Sequence, residues 1–109
     1  MEKAFQFIVW VTLLSAFGCT SRADDLTEMC TLLSETASKA MSLRQNGTPM
    51  QQLLEIPDKT KAPKAVKDMM IKIYVAAYSE PLWATEEHKE SAVTEFGNTI
   101  LLQCLHDFK

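Results

Sequence analysis

The sequence predicts an all-α fold: a small bundle of about four helices, three long and one short, stapled by one disulfide and preceded by an N-terminal signal peptide. Three observations carry this expectation. Apolar residues recur at three- and four-residue steps in four separate segments, the period of a helix with one buried face. Alternation at period two never lasts more than a few residues, so strands have no signal. Cys30 and Cys104 both fall on apolar helical stripes, one early and one late in the chain.

The leader comes first. Glu2 and Lys3 precede an apolar run from Phe5 to Ala16, broken only by Gln6, Thr12 and Ser15, and small residues follow. Charge, then grease, then small residues is the order of an export signal. A run of 12 residues is short of the roughly 20 that cross a bilayer core. Ser21-Arg22-Ala23 puts small residues at both key positions of a cleavage site, so residues 1–23 read as signal peptide and 24–109 as a single helical domain. The alternative is lipid anchoring through Cys19, for which Ala16-Phe17-Gly18-Cys19 supplies a poor lipobox. Either fate of Cys19 leaves Cys30 and Cys104 to bond each other in an oxidising compartment. The expected location is periplasmic or secreted.

Processing after Ala23 leaves 86 of the 109 residues, a size at which a hydrophobic core alone is marginal and a covalent staple helps. The chain has 14 acids and 11 bases; the leader holds one acid and two bases, so the domain carries 13 and 9, a net charge of −4. Nucleic acid and anionic lipid are bound through a positive excess, so neither is the expected partner.

The helices follow in order. Asp25 with Glu28 offers a capping box, and Leu26, Met29, Cys30, Leu33, Ala37, Ala40 and Met41 form one stripe, with Glu35, Ser38, Lys39 and Ser42 pointing away. Asn46-Gly47 ends this helix. Thr48 caps a short second helix with Pro49 in its first turn, and Ile56-Pro57 stops it. Pro63 opens the third, in which Val66, Met69, Met70, Ile73, Ala76 and Ala77 face inward and Ser79-Glu80-Pro81 breaks the run. Leu82 and Trp83 are expected to fold back onto the core. Thr85 caps the fourth helix, Glu86 and Glu87 suit its positive end, and Val93, Phe96, Ile100, Cys104 and Phe108 make its buried stripe.

Catalytic and metal chemistry find little support. His88 and His106 are 18 residues apart, about 27 Å on a continuous helix, too far to share an ion. There is no CxxC or HExxH spacing and no glycine-rich phosphate loop. Glu86 and Glu90 share a face, but acids at a helix start are stabilising without any catalytic role. The expectation is no enzyme, no metal and no cofactor. Asn46-Gly47-Thr48 matches a glycosylation sequon, and it matches a helix end followed by a helix start just as well. Lys64, Lys67 and Lys72 read as a docking patch for an acidic partner, and Tyr78 and Trp83 as candidate interface aromatics.

The order Cys30, Leu43-Arg44-Gln45-Asn46-Gly47, Ala76-Ala77-Tyr78-Ser79-Glu80-Pro81, Ala92-Val93-Thr94-Glu95-Phe96, Cys104 resembles a group of uncharacterised small exported proteins of gammaproteobacteria and their phages. The resemblance spans most of the domain and implies a periplasmic helical domain with one bridge and no catalytic residues. In size, helicity and export the chain is also similar to periplasmic acid-stress chaperones and to helical immunity proteins. The expected function is non-catalytic binding of another protein, of inhibitor, immunity or exclusion type. The alternative is an acid-stress chaperone. Neither reading includes a membrane span.

Overall fold

The computed structural model describes the backbone of residues 2–107 and the side chains of residues 24–107. The order is α1 (Glu2–Gln45), α2 (Met50–Lys59), α3 (Lys64–Tyr78) and α4 (Glu86–Asp107), with no strand among the described residues. The apolar run of the leader, Cys19 and Phe108 lie outside the described side chains. Among the described residues no helix is long and apolar enough to cross a membrane.

α1 is the hub. Its stripe Cys30, Leu33, Ala37, Ala40 and Met41 is buried, and α4 packs along it more extensively than any other element, with α3 also packed on α1 and α2 laid against α3. The Cys30–Cys104 bond joins α1 to α4 with both cysteines buried, their Cα atoms 5.6 Å apart. Ser34 pairs with Gly97 and Ser38 with Val93, so the two helices run antiparallel. A glycine at position 97 permits this close approach: a Cβ there would stand 2.2 Å from the Ser38 hydroxyl. The two serines fit the seam because each hydroxyl donates to a carbonyl of α4, Ser34 to Gly97 at 2.8 Å and Ser38 to Val93 at 3.5 Å.

Several local expectations need correction. α1 runs through Asp25 rather than starting there, because no proline or glycine between Thr20 and Asp25 interrupts it. Ser38 faces α4 instead of solvent. Met29 and Val66, placed inside by their spacing, are exposed because they sit on the margins of their stripes. Thr48 makes no side-chain cap; Pro49 is the N-cap of α2. α2 also continues past Pro57 to Lys59. The ring costs one backbone hydrogen bond but is fully buried one turn beyond Leu53, itself buried, and that burial offsets the loss. A helix of ten residues is marginal alone, so this apolar edge is what holds α2 in place.

Candidate functional site

The last turn of α1 organises the end of the molecule where the loops meet. Thr48 N–H donates to Leu43 O and Gly47 N–H to Arg44 O, the two bonds of a Schellman motif, with Gly47 at φ +84° where an L side chain would be strained. That closure leaves Arg44 and Gln45 aimed at the α3–α4 loop. The Arg44 guanidinium donates from Nε and Nη2 to Glu80 O at 3.4 and 3.3 Å, and it lies 5.3 Å from the centre of the Tyr78 ring. Gln45 is only 3% exposed, and both ends of its amide are used. Nε2 donates to Pro81 O at 2.8 Å, and Oε1 accepts the Trp83 N–H at 2.9 Å. Tyr78 donates its hydroxyl to Thr48 O, tying the end of α3 to the start of the α1–α2 connection.

These bonds fix residues 80–83 as a shelf. Trp83 is held by its backbone while its side chain stays 41% exposed, and Leu82 is 54% exposed. Both were expected to fold onto the core, but the loop backbone is tied to Gln45 and both side chains stay exposed. The Trp83 ring instead lies 5.6 Å from the His88 ring. Thr85 then caps α4, its hydroxyl accepting the His88 N–H at 3.2 Å, as the sequence suggested.

The shelf opens into a groove between α3 and α4. Its first section, about 610 Å³, has Glu80, Trp83, His88 and Glu95 at the mouth and Met41 and Phe96 deeper in. The second, about 330 Å³, is floored by Leu33 and Ile73 and ends at Lys72 and Asp107. Both are lined by Ala76, Ile100 and Gln103, so they are sections of one channel.

The expected docking residues are therefore divided. Lys72 and Trp83 line the groove at opposite ends. Lys64 and Lys67 are absent from its lining; with Ile71, Val75 and Tyr78 they recur at three- and four-residue steps along another side of α3, where Ile71 and Val75 are exposed. Burial raises the hydroxyl pKa of Tyr74 and of Tyr78, the latter against the opposing pull of Arg44. His88 and His106 are both exposed near opposite ends of α4, and His106 Nδ1 lies 3.7 Å from the carboxylate of its neighbour Asp107. Among the described residues no three His, Cys, Asp or Glu side chains gather as a metal site. Sequence reasoning gave Arg44 and Gln45 no role of their own. The signal for Gln45 was its register: the stripe Leu33, Ala37, Met41 continues by four onto a polar residue.

The chain matches no protein-family model, no curated protein and no solved structure.

Proposed function

We propose that this is a small exported domain that acts in the periplasm by docking another protein, as an inhibitor, immunity or exclusion factor does, and not by catalysis. The observation that carries the reading is the groove: an apolar floor running between two helices, with a rigidly mounted, half-exposed tryptophan at its mouth. Exposed apolar surface in a channel rimmed by polar groups is the usual mark of a protein-binding face. A buried disulfide is compatible with maturation in an oxidising compartment.

An acid-triggered chaperone fits less well. Every described Asp, Glu and His is exposed, so protonation finds no buried charge to release the core.

Site-specific photo-crosslinking in the envelope of the native host tests the proposal. A crosslinker at Trp83 or Gln103 should trap one discrete protein, and the same group at Leu102, which is 69% exposed and does not line the groove, should trap none. No adduct from any position would count against a docking role.

A further inference from the structure

α3 and α4 each pack on α1 but scarcely touch each other, and α2 lies against α3. The groove is thus walled by α3 and α4 and floored by α1, on the side of the molecule away from α2. Along α4 its lining runs from His88 to Asp107, a span of about 28 Å at 1.5 Å per residue. Both walls are helices, whose ridges accept another helix and offer no strand edge to an extended peptide.

The rim is not electrically even. Glu80 and Glu95 flank the Trp83 end, where His88 is the only basic side chain of the lining and the Arg44 guanidinium is held outside it against Glu80 O. At the other end Lys72 and Asp107 oppose each other in sign. We infer that the groove receives an amphipathic helix of a partner protein, one whose apolar stripe is bordered by lysine or arginine where it meets Glu80, Glu95 and Trp83. This rests on the docking reading and names the chemistry of its partner. The cationic residues of that helix meet two carboxylates and the face of an indole, and its apolar stripe covers Ala76, Phe96 and Ile100. The Lys64–Lys67 side of α3 would suit an acidic partner, but it lies outside the groove lining, and the groove offers the larger apolar concavity.

Two synthetic 18-residue amphipathic peptides test the inference, sharing their leucine positions and carrying either lysine or glutamate at the borders. Each is titrated into the oxidised, exported protein, with amide shifts and calorimetry as readouts. The Leu/Lys peptide should bind at least ten-fold more tightly than the Leu/Glu peptide and shift Ala76, Phe96, Ile100 and Trp83. The double variant E80K/E95K changes two exposed side chains and should reverse the preference. Gln103→Trp, at another exposed position, should block both peptides while leaving helicity unchanged. Equal binding of the two peptides, or binding of neither, overturns the inference. Binding of the Leu/Glu peptide over Lys64, Lys67, Ile71 and Val75 also overturns it while leaving a docking role intact; the role itself falls only with the crosslinking result.

Discussion

The two ends of the seam between α1 and α4 are secured by different chemistry. At one, Cys30 and Cys104 form a covalent bond between two helices within the apolar core. At the other, 15 residues and about 22 Å along α1, Gln45 and Arg44 hold the α3–α4 loop by hydrogen bonds to backbone atoms. The sulfur bridge constrains the unfolded chain, since it closes a sequence separation of 74 residues. The polar clamp acts on the folded state: it sets where Trp83 stands and how the groove opens. The covalent staple and the clamp that positions Trp83 thus lie at separate ends of one helix.

Breaking the bridge should have the largest effect. Replacing Cys30 and Cys104 together with alanine should cost about 4 kcal/mol, the chain-entropy value for a loop of this length. Denaturant midpoints of the two proteins measure it. Hydrogen exchange then tests the separation of the ends: amides around Cys30 and Leu101 should lose more protection than those from Met41 to Gln45. Equal losses would mean that the seam is one cooperative unit and that the contrast between its ends is only local.

The clamp ranks second. Gln45→Leu keeps bulk but strands the Pro81 carbonyl and the Trp83 N–H, for a cost of about 2 kcal/mol. Its distinguishing mark is optical. Trp83 is the only tryptophan once residues 1–23 are removed, so its emission should shift and its anisotropy fall while protection near Cys30 is kept. A stability loss with unchanged Trp83 emission would show that the shelf is held by Arg44 and the Schellman turn instead.

How far the sequence could be read follows the same division. The helices, the Asn46-Gly47 stop, the Thr85 cap and the cysteine pair were legible, because each depends on local backbone preference or on counting. Pro57 misled because its cost is local and its compensation, burial against neighbouring helices, is not. The site was legible only in pieces. Lys72 and Trp83 were both singled out, but nothing in their spacing relates them across a groove walled by α4. The register of Gln45 on the buried stripe hinted at its burial, but its partners are backbone atoms 36 and 38 residues away, which side-chain pattern does not reveal.

Between the two ends lies the serine–glycine strip, and it should respond most weakly. Gly97→Ala gains about 1 kcal/mol of helix propensity, but its Cβ would meet the Ser38 hydroxyl at 2.2 Å. That hydroxyl can turn away, giving up a 3.5 Å contact with Val93 O, while the Ser34 atoms at 3.5 Å need not move. The single change should therefore leave stability within about 0.5 kcal/mol of the parent, gain and displacement offsetting each other. In a Ser38→Ala background the obstacle is gone, and Gly97→Ala should stabilise by nearly its whole propensity gain. The cycle is read from four denaturant midpoints. A gain of the same size in both backgrounds would mean that Ser38 is no obstacle. A loss in both would mean that the backbones of α1 and α4 themselves forbid a methyl group, which would make this strip, and not the sulfur bridge, the tightest constraint on how the two helices meet.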